Sequence, residues 1–313
     1  MKTIIITGAA GEVGLNLINL LNKKNYEIIA IDKNKTNLKL LKKLFPSVKC
    51  YCFDLAKNSY SWQKLFKNIN VVIQLHAQIS SPKLEPFIKN NIISIKNVVS
   101  VCEKYKIKNL IHASSSVVIS VANDNYTKTK REGEKIVKKS IVPHTILRPT
   151  LMYGCFDIKH LGFLTTLFDI SPIFPMPGSG KYIRQPLFVE DFAKIIINLI
   201  DKKPKNEIYN IVGKEKLFFI DLLRIIAKQK KKKILFATIP ILLFNFMLRT
   251  YSFITGKTHY VPEQLAAMTA GDIFPVIDWE KIFLVKYTKY KEGVKKMLSS
   301  KYYSYYILMK KEE

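Results

Sequence analysis

The chain opens on KTIIITGAAGEVG, Lys2 to Gly14, and no other stretch constrains its fold as strongly. Five β-branched residues, Thr3 to Thr7, run directly into a turn carrying Gly8, Gly11 and Gly14, and the residues after it have helical apolar spacing. In a strand–turn–helix unit of this kind the first glycine permits the tight turn. The second lets a pyrophosphate approach the backbone, and the third permits close helix packing. The helix N-terminus then faces the phosphates, with Ala10, Glu12 and Val13 on the same turn. A glycine triplet alone is weak evidence, but IIAID ends a second β-rich run on Asp32, 18 residues beyond Gly14. A carboxylate there accepts hydrogen bonds from ribose hydroxyls and repels a 2′-phosphate. NAD is therefore expected over NADP, with Lys33 and Lys35 nearby keeping NADP open.

Beyond the turn, short apolar runs alternate with helical patterns: LKLLKKLF, VKCYCFDL, WQKLFKN, INVVIQLHA, NNIISIKNVVSVCEKYK, NLIHASS and HTILRP. Runs of Ile and Val without polar alternation mark strands covered on both faces, as in a parallel sheet. The expected fold is α/β. A doubly wound parallel (Rossmann) sheet, an NAD(P)-binding domain, spans 1–149 and is completed by about 185–212; a smaller C-terminal substrate-binding lobe uses 150–184 and 213–313. After Pro149 the pattern loosens into SPIFPMPGSGKYIRQP, loop chemistry in which selectivity tends to reside.

A chain of 313 residues that is 48% hydrophobic can bury a substantial core. Its 51 basic and 24 acidic residues give a net charge of +27, which attracts anions, although the lysines occupy ordinary helix-surface positions. A nucleic-acid partner would rest on charge alone and is not expected. The four cysteines form no Cys-x-x-Cys pair, so no zinc or other metal site is expected and a reduced cytoplasmic chain is favoured. The opening strand is not a signal peptide. Residues 234–254 carry one charge, Arg249, but Pro240 divides them. Residues 241–254 are therefore expected as a buried helix or a peripheral membrane contact at the cytoplasmic face, not as a span. A homodimer is an allowed assembly.

Tyr126 and Lys130, in DNYTKTKREGE, stand at i and i+4, so on a helix both project from one face. A free tyrosine is a poor base at neutral pH, and a neighbouring ammonium would stabilise its phenolate. HASSS precedes them, and a serine hydroxyl could steady a developing carbonyl. A Tyr-x-x-x-Lys alone is common by chance among 16 tyrosines; its value comes from the glycine turn, serines and LRP in one order.

These motifs, with FDL, QLHAQ, NNIISIKNVV, LRPTLMYG and RQPLFVEDFA, resemble those of the extended short-chain dehydrogenase/reductases of the NAD-dependent epimerase/dehydratase family. The resemblance covers the N-terminal two-thirds. It implies that Asp54, beside Leu55, faces the adenine, that His76, Ala77 and Asn91 border the cofactor channel, and that Pro149 lies against the nicotinamide. It further implies Tyr126 as base, Lys130 on the nicotinamide ribose, and Ser115 as the catalytic serine, with Ser116 next and Ser114 facing away. Arg184 resembles an arginine that clamps the diphosphate of a nucleotide sugar; a surface ion pair with Glu190 or Asp191 is its plainer reading. His160 and His259 are weaker candidates.

The implied activity is that of an NAD-dependent sugar epimerase. It would act on a nucleotide- or polyprenyl-diphosphate sugar by 4-epimerisation through a keto intermediate, in cell-surface glycan synthesis. A reductase or dehydrogenase of the same family is the alternative, and a non-catalytic nucleotide-binding accessory subunit is the alternative of another class. Dehydratases carry Asp-Glu where this chain has Ser116 and Val117, which argues against dehydration. Ser115 and Tyr126 are only 11 residues apart, closer than in most of the family, so an open substrate pocket is expected.

Overall fold

The β-branched run at the start of the chain becomes the middle of a sheet. In the computed structural model, which describes residues 2–22, 24, 26–158, 160–255, 269, 271 and 273–302, strands β1 (Lys2–Thr7), β2 (Tyr26–Asp32), β3 (Lys49–Cys52), β4 (Val71–Gln74), β5 (Asn109–Ala113) and β6 (His144–Pro149) join a seventh, Glu207–Ile211. All pair in parallel, in the order Glu207–Ile211, β6, β5, β4, β1, β2, β3. Ile4, Ile5 and Ile6 have no exposed surface. Burial of each contributes about 1.5–3 kcal/mol, which is why a run without polar alternation occupies the centre.

Strand order runs outward one way through β1, β2 and β3 and the other way through β4, β5 and β6. β1 and β4 are thus neighbours whose following segments diverge, and at such a switch point the carboxyl ends of the strands open a crevice. Below one face of the sheet lies a core containing Trp62, Phe66, Ile95, Val98 and Cys102. Trp62 satisfies its one donor by giving its indole N–H to Lys57 O at 2.9 Å. All four cysteines are free thiols.

The chain divides into two compact units, the first made of Met1–Thr150, Val189–Val212 and Val276–Tyr287. The return segment thus starts at Val189 rather than near 185. Residues 276–287, expected with the C-terminal lobe, belong to the first unit. The reason is local packing: Trp279 and Phe283 are buried, Trp279 Nε1 donates to Val212 O at 2.9 Å, and Asn198 Nδ2 donates to Phe283 O at 2.6 Å.

The second unit is built from Leu151–Phe188, Gly213–Pro275 and the residues from Thr288 onward. Three two-stranded ribbons pair Met152–Tyr153 with Leu187–Phe188, Ile183–Arg184 with Leu217–Phe218, and Ile173–Pro177 with Leu235–Ile239. Tyr153, Phe188, Phe219, Leu222 and Tyr290 form its core. Pro240 precedes a helix, Ile241–Thr255, one residue longer than expected. On this helix Leu242, Phe246 and Phe253 are exposed, and among its described side chains Phe244, Asn245 and Leu248 are half-buried, so the expected burial is not seen on that face. No helix among the described residues is long and apolar enough to cross a membrane.

Candidate active site

The turn after β1 depends on each glycine for a different reason. Gly8 has φ of 69°, and a Cβ on it would come within 2.5 Å of the His76 backbone nitrogen, in the segment after β4. Its N–H donates to Ile31 O at 2.9 Å, tying the turn to β2. A Cβ on Gly14 would lie 2.3 Å from Ala9 O, so the helix packs directly on the turn. Gly11 is under no such pressure: its added Cβ would meet only Gly8 O, at an ordinary 3.4 Å. The helix Glu12–Leu21 starts there without a side-chain cap, and its N-terminus carries the positive end of the helix dipole. This cradle fits a pyrophosphate in both shape and charge.

Asp32, at the end of β2, braces the turn. Ala10 N–H donates to its Oδ2 at 3.0 Å and Asn34 N–H to its Oδ1 at 2.9 Å. Burial pushes its carboxyl up, opposed by the backbone donors of Asn34, Ala10 and Lys33. Both oxygens keep acceptor capacity for a ribose hydroxyl. The Lys33 ammonium turns away to Asn90 Oδ1 at 2.9 Å.

The remaining residues expected around a cofactor divide by what their polar groups already do. Val13 is half-buried in the first turn of its helix. His76 Nδ1 lies 2.8 Å from Thr7 Oγ1, and burial, then the charges of Lys130 and Lys33, pull its pKa down to about 3, so the ring is neutral at pH 7. Its Nε2 is buried without a partner among the described residues. Asn91 is wholly buried; its amide accepts from Gln78 N–H at 2.7 Å and donates to Gln78 O and Thr129 Oγ1 at 3.0 and 3.1 Å. Asn91 is thus spent inside the protein, fastening the segment of Ala77 to the helix of Tyr126. Asp54 is half-exposed and accepts from Ala56 N–H at 3.0 Å, while Leu55 is part of the core. Pro149 closes β6, opposite Ile211.

The helix Asn125–Lys139 begins at Asp124, whose carboxylate accepts from Thr127 N–H at 2.7 Å. Tyr126, Lys130 and Glu134 follow one another at intervals of four, so three successive turns face the ends of β5 and β6. On the first turn, burial pushes the Tyr126 phenol up, and hydrogen bonding with the Ser115 hydroxyl works against the rise. On the second, Lys130 is buried and donates to Ala113 O at 3.0 Å, leaving two N–H groups without a partner among the described residues. Burial brings its pKa down to about 8, with Glu134 opposing. On the third, the buried Glu134 carboxylate accepts from Ser114 Oγ at 2.7 Å, from Arg148 Nε at 3.0 Å and from Lys138 Nζ at 2.8 Å.

The Lys130 ammonium points to the β5 carbonyl, and burial is the largest influence on the Tyr126 phenol. Of the three serines, Ser115 meets Tyr126, Ser114 is held by Glu134, and Ser116 is buried at the start of a single turn, Ser116–Ile119. Arg131, not singled out from sequence, binds the short Ser115-to-Tyr126 connection: Nε donates to Val118 O at 3.0 Å and Nη2 to Ser120 O at 2.7 Å. Glu134 was equally legible in principle, as a charge on the helix face that carries Lys130.

Arg184 belongs to the second unit. Its guanidinium lies over the Tyr182 ring, 5.2 Å from the centroid, and donates to Ile183 O at 3.0 Å. His160 gives its backbone N–H to Asp157 Oδ1 at 2.8 Å, and His259 lies outside the described residues.

Comparison with known proteins matches residues 4–212 to the profile of the NAD dependent epimerase/dehydratase family. A putative UDP-glucose 4-epimerase of Methanocaldococcus jannaschii is 28% identical over 248 residues, 68% of this chain and 77% of that protein. A trifunctional UDP-glucose 4,6-dehydratase/UDP-4-keto-6-deoxy-D-glucose 3,5-epimerase/UDP-4-keto-L-rhamnose-reductase of Arabidopsis thaliana is 26% identical over 261 residues. That match takes in 72% of this chain but spans only 39% of the plant protein. The UDP-glucuronic acid 4-epimerase of Bacillus cereus, solved in complex with NAD, shares the fold with a TM-score of 0.72 at 20% identity, covering 97% of this chain and 96% of that one.

Proposed function

The chain belongs to the NAD-dependent epimerase/dehydratase family, and from that premise we propose that it inverts one hydroxyl-bearing carbon of a diphosphate-linked sugar. The reaction is 4-epimerisation through a keto intermediate, on a nucleotide- or polyprenyl-diphosphate sugar, in cell-surface glycan synthesis. The observation that carries the reading is Tyr126 beside the Ser115 hydroxyl, with a buried, only partly satisfied Lys130 one turn further along the same helix.

Bound NAD supplies a hydride acceptor and a positive ring. The chain's own residues do the rest. Gly11 and the uncapped helix start receive the pyrophosphate, Asp32 the adenosine ribose, and Asp54 the adenine edge. Ala77 and Pro149 line the nicotinamide end. Lys130 offers its two unused N–H groups to the nicotinamide ribose. Tyr126 takes the proton of the sugar hydroxyl and later returns one, while Ser115 donates to the developing carbonyl oxygen. In the free protein the phenol holds its own proton, since burial raises its pKa; to act as base it would first give that proton to solvent, beside the positive ring of bound NAD. Asp32, with Lys33 drawn off to Asn90, supports NAD over NADP. The second unit would hold the substrate, with Arg184, pre-oriented on Tyr182, at the diphosphate. The Arg131-bound short connection leaves little loop to wall the sugar, which suits a bulky carrier.

The purified protein is tested for retained cofactor, then given UDP-sugars and polyprenyl-diphosphate sugars in D2O. Expected are C4 isomers without deuterium at C4, because the hydride is returned rather than exchanged, and no stoichiometric consumption of NADH. Consumption would instead assign a reductase. Tyr126→Phe should retain cofactor and lose about 100- to 10,000-fold in turnover; unchanged turnover would sink the assignment.

A further inference from the structure

The second unit exposes more large apolar side chains along one helix than a solvated face requires. On the helix Ile241–Thr255, Leu242, Phe246 and Phe253 share one stripe and are 85%, 66% and 90% exposed, and Ile254, further round the helix, is 75% exposed. Arg249 is the single charged residue of that helix and there is no acidic one. The usual arrangement is inverted: the Asn245 side-chain oxygen is buried on the protein side while the large apolar groups face out. In the ribbon of Ile173–Pro177 and Leu235–Ile239, which precedes this helix in the chain, the register partners Ile173 and Leu235 are exposed as well. Immediately before that ribbon strand stand three exposed lysines, Lys231, Lys232 and Lys233.

We propose that this face docks on an anionic lipid bilayer. The helix lies in the plane of the interface with Leu242, Phe246 and Phe253 in the acyl boundary, and the lysines reach the headgroups. A helix of 15 residues is about 22 Å long, short of the ~30 Å hydrocarbon core, so it lies on the membrane and does not span it. Charge selects this occupant over a second copy of the chain. Two copies would bring like-charged margins together on molecules of net charge +27, whereas anionic lipid attracts them. The inference is independent of the reaction assigned above.

The test is flotation of the full chain with phosphatidylcholine vesicles, with and without phosphatidylglycerol. Flotation is expected only with phosphatidylglycerol, weakening as salt rises. Leu242→Ser/Phe246→Ser/Phe253→Ser should lower partitioning by about tenfold or more, and Lys231→Gln/Lys233→Gln by about fivefold per charge. All five side chains are exposed, so circular dichroism and thermal midpoint should match wild type in both variants. No flotation, or flotation indifferent to the serine substitutions, overturns the proposal. So does sedimentation showing a dimer that the serine variant dissociates, which would assign the face to a second copy.

Discussion

Replacing Lys130 by Met should make this protein more stable and less able to work. The ammonium is buried, and its only hydrogen bond among the described residues goes to Ala113 O. Burial brings its pKa from the ordinary 10.5 down to about 8, which corresponds to ~3 kcal/mol of disfavoured charge. Below pH 8 both the folded and the unfolded chain carry the proton, so the whole penalty falls on the folded state. Methionine keeps the length and removes the charge; the loss of the bond to Ala113 O returns about 1 kcal/mol. Lys130→Met should therefore be stabilised by about 2 kcal/mol at pH 7. The sign of the pH dependence follows from the lowered folded pKa. Between about 8 and 10.5 the unfolded chain binds more protons, so wild-type stability rises with pH and the advantage of the variant shrinks. Urea unfolding read by the buried Trp62 and Trp279, both in the first unit, at pH 7 and again at about 9.5, measures this. A variant no more stable than wild type at pH 7, or an advantage unchanged at the higher pH, would refute the reasoning. Cofactor retention and turnover should fall in the same variant, the pattern of a charge kept for function at a cost in stability.

Gly11→Ala and Gly14→Ala should separate binding from folding. The first meets only ordinary contact at 3.4 Å and should shift stability by less than about 1 kcal/mol while weakening cofactor binding at least about tenfold, read by titration calorimetry. The second drives a Cβ to 2.3 Å from Ala9 O and should destabilise by more than about 2 kcal/mol in thermal unfolding. Glu134→Gln should cost about 3 kcal/mol at pH 7, since burial opposes its charge but Arg148, Lys138 and Ser114 together bring its pKa from 4.5 down to about 2. That contribution is present above about 4.5 and is lost as pH falls toward 2, so the gap between Glu134→Gln and wild type should close on acidification.

The glycine turn, the parallel sheet and the positions of Asp32, Tyr126 and Lys130 on their elements were readable because each depends on local spacing: three glycines between a β-branched run and an amphipathic helix, and two residues one turn apart. The N-cap at Asp124 is local in the same sense. Partner choice is not local. Asn91 meets Gln78 and Thr129, and Glu134 meets Ser114 and Arg148, only after separate strands and helices are packed together. The direction of the Lys130 ammonium is decided by the Ala113 carbonyl at the end of β5, a contact 17 residues back in the chain. Likewise nothing in the apolar run after Pro240 told whether it would be covered, because exposure depends on what the rest of the second unit leaves uncovered. By itself the sequence determined which elements form and which chemistry they carry; the tertiary structure alone decided which polar groups are spent holding the fold and which remain free for a ligand, because burial and hydrogen-bond partners are properties of assembled surfaces rather than of a chain.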